Sequence, residues 1–143
     1  GTQTTGTHVY GNYSPVQIPS WLNIPKNSMI TGISPDSEIE ARFQSSLASP
    51  SNVKAIFAGL MTYADPSTVL KGMPKRPLAE VIWFTNPNGQ ATFNAGVTTW
   101  ACNLVDTCAY SSVDEKSRKI LDDVTQQVIT LFEERGVGDK LKP

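Results

Sequence analysis

Charge is scarce in this sequence. Of its 143 residues, 17% are Asp, Glu, Lys or Arg, against roughly 25% in a typical soluble domain. Ser, Thr and Asn take up the difference. The net charge is −1, and Lys and Arg are scattered, so there is no basic face for a nucleic-acid backbone. Long apolar runs are missing as well: none approaches the roughly 18 residues that a membrane-spanning helix needs. The opening GTQTTGTHVYGNYSP has no basic segment leading into an apolar one, as a signal peptide would. It reads as a mature, processed or truncated N-terminus. Histidine is nearly absent. A catalytic cysteine needs a nearby base, and His8 is the single histidine.

Cysteine is scarce too. Cys102 and Cys108 sit six apart in CNLVDTC, and two cysteines with no second pair make a poor zinc site. What remains is a local disulfide, which would staple the end of a short helix, or two buried thiols. Few charges, many hydroxyls and a possible staple favour an extracytoplasmic or secreted setting.

The length suits one domain with a real core. Residues 1–50 read as loop-rich, punctuated by Pro15, Pro19, Pro25, Pro35 and Pro50. HVYGNY (8–13) and SMITGI (28–33) are short strand candidates, and EIEARF (38–43) alternates in charge. Residues 51–143 carry the stronger signals. VKAIFAGLMTY (53–63) reads as a buried strand, with a helix as the alternative. Residues 64–77, with three prolines, read as a surface connection. AEVIWFTN (79–86) is the clearest strand, and Asn86-Pro87-Asn88-Gly89 is a turn in which Pro87 fixes φ and Asn88-Gly89 tolerate positive φ. ATFNAG (91–96) returns as its partner. Ser112 to Glu115 fits a capping box. Ile120, Val124, Val128, Leu131 and Phe132 then recur at helical spacing, up to a stop at Gly136. The expected fold is α/β, a mixed sheet with a strand hairpin and a C-terminal amphipathic helix on one face.

The junction after the hairpin is the most specific feature. A strand ending in Phe93-Asn94-Ala95-Gly96 runs straight into Thr98-Thr99-Trp100. A glycine there lets the chain turn tightly, Thr98 or Thr99 is placed to cap the helix that follows, and free amides at its start suit an anion or a polar ligand. The plain structural reading is a strand-to-helix turn with Trp100 in the core.

This stretch, with the closing helix over roughly 114–135, resembles the C-terminal end of the large subunit of the N,N-dimethylformamidase family. The resemblance spans about 79–135. Upstream, residues 19–40 are similar to a family segment in which an aromatic residue, a glycine turn and a glutamate precede the last strands, which would place that glutamate at Glu38. Ser37 departs from the family pattern. The resemblance implies an amidotransferase-like α/β domain and hydrolysis of a C–N bond in a small amide. It also implies a mononuclear iron (or zinc) held by two tyrosines and a glutamate that lie upstream of the matched segment. No stretch of this chain matches those ligands. The implied chain is the C-terminal part or subunit of a larger catalytic unit, with no metal ligand of its own. Glu38, Asn94, Thr98 and Thr99 would stand in supporting or substrate-binding roles. A larger polypeptide of the same protein is the implied partner, and a homo-oligomer is possible.

Other readings compete. A non-enzymatic secreted or surface module, for binding or assembly, fits the low charge and the missing ligands. It would self-associate through an edge strand, for which HVYGNY (8–13) is the candidate. A carbohydrate-binding face would rest on Tyr10, Tyr13 and Trp21. Asp36 with Glu40, or Glu38 alone, would serve acid–base work if they pointed into a cleft, and the three would form a solvated strand face otherwise. Asp122 and Asp123 read as exposed. Asn12-Tyr13-Ser14 matches a glycosylation acceptor by pattern. The fragment reading also predicts an exposed apolar surface around Trp21, Leu22 and the first strands.

Overall fold

The computed structural model describes residues 2–40, 53–63, 65, 67, 69, 75–85, 91–105 and 113–135. Six strands and one long helix lie among them: β1 (Thr2–Pro15), β2 (Ile30–Glu40), β3 (Lys54–Leu60), β4 (Thr62–Tyr63), β5 (Leu78–Thr85), β6 (Ala91–Asn94) and α1 (Glu115–Arg135). The proposed turn at 86–89, the stop at Gly136 and residues 41–43 lie outside the described residues.

The strands form one curled, half-barrel sheet with the order β2-β1-β3-β5-β6, and β4 pairs with β1 off this path. Every strand pair among the described residues is antiparallel. The sheet is therefore not mixed. A parallel pair needs a long crossover, usually a helix, and here the one α-helix follows the last strand.

The first fifty residues hold more order than their prolines and glycines suggest. β1 has 14 residues and β2 has 11. β1 is rich in Thr, whose β-branch suits extended backbone. It runs through the interior of the sheet, between β2 on one side and β3 and β4 on the other. HVYGNY is thus part of an inner strand and offers no free edge. The outermost strands are β2 and β6. Pro35 sits in β2, where an edge strand tolerates a residue without an N–H.

β5 shows how the core is built. Ala79, Val81 and Trp83 are buried on one face, while Leu78, Ile82 and Phe84 on the other are half-buried, the period of two of a strand. On the inner side, α1 lays down Ile120, Leu121, Val124, Val128 and Leu131 at helical spacing against Tyr13, Ile30, Ile33, Phe57 and Val81. Segment 16–29 closes the bottom. Leu22 is only 3% exposed, and Trp21 packs on Trp83 with ring centroids 4.8 Å apart, Trp83 in turn lying 6.1 Å from Phe132. Leu22 is therefore core and Trp21 packs half-buried against it, so neither forms the exposed apolar surface expected there.

α1 is pinned along its length. Its start is capped by Asp114, whose Oδ1 accepts from the Ser117 amide at 2.7 Å. The Arg118 amide donates to the Asp114 carbonyl as the first helical bond. Asp114, one residue before the helix, takes the N-cap position that the pattern assigned to Ser112. Thr31 of β2 donates its hydroxyl to Asp114 at 2.8 Å and its amide to Ser117 Oγ. Further along, Gln127 accepts from the Asn23 amide at 2.6 Å and donates to the Asn23 carbonyl. Asp122 is exposed; Asp123 is half-buried and pairs with Lys119 at 2.9 Å.

These contacts set a pH dependence. The Ser117 amide, then the Ser117 and Thr31 hydroxyls and Lys116, hold the Asp114 carboxyl below the usual aspartate range. A depressed folded-state pKa adds stability that is present above the unfolded value of about 3.9 and is lost as pH falls through the folded value. Thermal melts from neutral pH into that acid range should show the loss. Asp114→Asn should lower Tm at neutral pH and flatten the acid limb.

Candidate functional site

Two features stand out: the junction after β6, and a cleft on the opposite face of the sheet. The junction begins with Asn94. Its side chain accepts from the Gly96 amide at 2.7 Å, a local turn typical of Asn. Gly96 then adopts φ of +77°, a region that other L-residues enter at a cost. A Cβ there would stand 2.3 Å from the Glu80 carbonyl oxygen and 2.8 Å from the Tyr13 hydroxyl. Glycine is needed both for its dihedral and for the close approach of the junction to β5.

Val97 is extended, and a three-residue 3₁₀ turn follows over Thr98–Trp100, then a second over Cys102–Leu104. Trp100 is 7% exposed. Its indole Nε1 donates to Thr125 Oγ1 at 3.0 Å, and that hydroxyl donates to the Leu121 carbonyl at 2.7 Å. Phe93 meets Trp100 edge-on at 5.9 Å. The junction is thus bolted to the middle of α1, as the structural reading of Trp100 expects.

The threonines do something other than expected. Val97 holds the N-cap position, with no side-chain cap bond, so neither Thr98 nor Thr99 caps the turn. One 3₁₀ turn is also too short to present a row of free amides, and the anion site expected at a helix start is not formed there. Thr99 Oγ1 is instead buried without a hydrogen-bond partner. So are both polar atoms of the Asn103 side chain, a residue with 0% exposure. Unpaired buried polar groups carry a desolvation cost of about 1–3 kcal/mol each, so this turn is the least satisfied part of the described core.

Glu38 lies elsewhere. It pairs with Thr4 near the far end of β2, with Asp36 opposite Val9 and Glu40 opposite Thr2. Asn94 ends β6, so the two belong to opposite edge strands. Asn94, Thr99 and Trp100 come together in the junction, and Glu38 does not share their strand neighbourhood. No group of three His, Cys, Asp or Glu residues among the described residues could hold a metal ion. No helix among them is long and apolar enough to cross a membrane.

Cys102 is disulfide-bonded, and the chain's other cysteine is Cys108, which lies outside the described residues. A loop this short gives about 2 kcal/mol by loop-closure entropy. Reduction should lower the urea midpoint accordingly, and the unreduced chain should have a mass lower by two hydrogens and run as a monomer on a non-reducing gel.

The cleft arises where the ladders around β1 break. β1 meets β3 at Ser14↔Ala58 and Pro15↔Phe57, then meets β4 at Val9↔Tyr63 and Tyr10↔Thr62. Between these, Met61 donates its amide across to the Pro77 carbonyl at 2.8 Å. Its pairing with β2 also shifts register on both sides of Gly11. Such bulges bend a strand and re-aim its side chains. Gly59 sits so close to β1 that a Cβ would fall 2.0 Å from the Asn12 carbonyl oxygen, and one on Gly11 would meet Met61 Sδ at 2.6 Å.

The resulting cavity of about 530 Å³ is lined by Tyr10, Gly11, Asn12, Ser14, Ala58, Gly59, Leu60, Thr62, Arg76 and Leu78. None of these is acidic. Asn12 is held by accepting from the Gly32 amide at 3.0 Å. Burial pushes the phenol of the neighbouring Tyr63 up from its ordinary value. In the sequence Arg76 and Thr62 carry no functional signal, and Ser14 appears only in a glycosylation pattern. Gly11 and Gly59 inside strand patterns were the available signal, since such glycines mark bulges or close backbone contact.

No protein-family model, no curated protein and no solved structure matches this chain.

Proposed function

We propose that this chain is the C-terminal part or subunit of a hydrolase resembling the N,N-dimethylformamidase family. In this reading it acts on an amide C–N bond in an extracytoplasmic setting, and an iron (or zinc) centre comes from a larger polypeptide of the same protein. The observation that carries the reading is the junction itself. Of the residues on which the resemblance rests, Phe93, Asn94, Ala95, Gly96, Thr98, Thr99 and Trp100, four (Phe93, Asn94, Gly96 and Trp100) shape the turn and bolt it to α1. The unpaired Thr99 and Asn103 groups beside it add weight, because unsatisfied buried polar atoms call for a reason beyond packing. The chain's part is to hold one wall of the site, with Asn94 and the Thr98–Trp100 turn at its rim.

A second reading, an assembly or binding module, draws on the outer face of the sheet. Tyr10 and Leu60 are 45% and 49% exposed there, beside half-buried Leu78, Ile82 and Phe84. Both readings require a partner, and they differ in what it carries. The test is to isolate the chain from its native source with whatever accompanies it, then measure metal content and release of amine from N,N-dimethylformamide and formamide. A larger metal-bearing polypeptide with amide hydrolysis supports the first reading. A metal-free assembly without turnover supports the second and sinks the first.

A further inference from the structure

We infer that the cleft at the β1–β3–β4 bulge is a binding site for a small organic monocarboxylate with an apolar body. The inference stands apart from the amide-hydrolase reading. Its size lies within the roughly 300–1,000 Å³ of small-molecule sites, at about 530 Å³. Its lining divides into two chemistries. Leu60 and Leu78, paired directly across the ladder, and the exposed ring of Tyr10 give an apolar wall. Arg76, Ser14 and Thr62 give donors, and none of the three has a side-chain hydrogen bond or ion pair among the described residues.

The balance of charge selects the ligand. One guanidinium and, among the described lining residues, no acidic one suit a single negative charge. The planar fork of arginine matches the two oxygens of a carboxylate, and hydroxyls complete its remaining lone pairs. An inorganic anion would use the donors but leave the leucines and the tyrosine ring in contact with water. A neutral apolar ligand would use the leucines but leave the guanidinium unpaired. A carboxylate on an apolar body uses both halves. Gly59 lets β1 and β3 close up behind the cleft, since a side chain there would run into the Asn12 backbone.

The test is an amide-detected NMR titration of the full chain with benzoate and, separately, butyrate, each against benzamide and inorganic phosphate. Saturable shifts at Gly11, Gly59, Leu60 and Thr62 with either carboxylate, and weaker binding of benzamide and phosphate, are expected. Arg76→Gln should weaken carboxylate binding about tenfold or more, the worth of one charge-assisted contact, with the rest of the spectrum unchanged because Arg76 is exposed. Leu60→Asp should do the same from the apolar side. Phosphate binding as tightly as the carboxylates would reduce the cleft to a plain anion site and overturn the proposal. Equal binding of benzamide, or no saturable shift with either carboxylate, would also overturn it.

Discussion

Gly96→Ala should destabilise the chain by about 3 kcal/mol or more, a large share of the roughly 5–15 kcal/mol that holds a domain folded. Two costs add. The first is conformational: the residue sits at φ of +77°, where a Cβ costs about 1–2 kcal/mol. The second is steric. The new Cβ would lie 2.3 Å from the Glu80 carbonyl oxygen and 2.7 Å from its carbon. Both are backbone atoms, so no rotamer change relieves the contact. β5 cannot retreat cheaply either, being hydrogen-bonded to β3 on one side and β6 on the other. Gly96→Asn separates the two costs, because asparagine tolerates positive φ but brings the same Cβ. Urea denaturation followed by circular dichroism should find the Asn variant nearly as damaged as the Ala variant. A mild Asn variant beside a severe Ala variant would mean that φ alone matters and that the junction stands off from β5.

Much of this arrangement was legible, and the parts that were not share a cause. α1 could be read because its apolar residues recur within a single turn of one another, so the pattern is local. β5 could be read for the same reason, with Ala79, Val81 and Trp83 buried on one face and Leu78, Ile82 and Phe84 half-buried on the other, although the charged Glu80 on that second face is buried as well. β1 could not be read in full. Its Thr- and Gly-rich start offers no apolar alternation to announce a strand, and register shifts at 4/9, 9/11 and 11/13 break up the pairing along the rest of it. β2 was read as separate pieces at 28–33 and 38–43, split by Pro35, whose place in an edge strand depends on strand order, and strand order is not a local property. The cap moved from Ser112 to Asp114 because both residues are good caps. Tertiary bonds from Thr31 to Asp114 and Ser117 accompany the second choice.

The candidate sites divide along the same line. The junction could be found because Asn94, Gly96 and Trp100 lie within seven residues, and their turn chemistry is written in consecutive positions. What Thr98 and Thr99 do there could not be foreseen, since it depends on whether the following turn is α or 3₁₀. The cleft draws on 10–14, 58–62 and 76–78, three segments joined only by sheet pairing. No single window of sequence contains its guanidinium together with its apolar wall.

Trp100→Ala carries the second large effect, about 3–5 kcal/mol for removing a buried tryptophan. The loss is more than volume. The indole is the link by which the junction holds α1, through Thr125 and on to Leu121, and it also supports Phe93 edge-on. Trp100→Phe keeps an aromatic ring and loses the N–H, so it should cost less, about 1–2 kcal/mol. Thr125→Val leaves the indole N–H buried without its acceptor and should cost about 1–3 kcal/mol. If the bond is what joins the two elements, the double variant Trp100→Phe/Thr125→Val should cost clearly less than the sum of the singles, by about 1 kcal/mol. Simple additivity in urea denaturation would reduce Trp100 to packing alone. The same variants bear on function. Trp100→Phe should remain folded, so its effect on amide hydrolysis in the complete assembly can be read free of unfolding. A drop in kcat beyond what the folded fraction explains would place the Thr98–Trp100 turn at the reacting site. Unchanged turnover per folded molecule would make the junction a structural bolt, whose glycine, asparagine and tryptophan serve to seat α1 on the sheet.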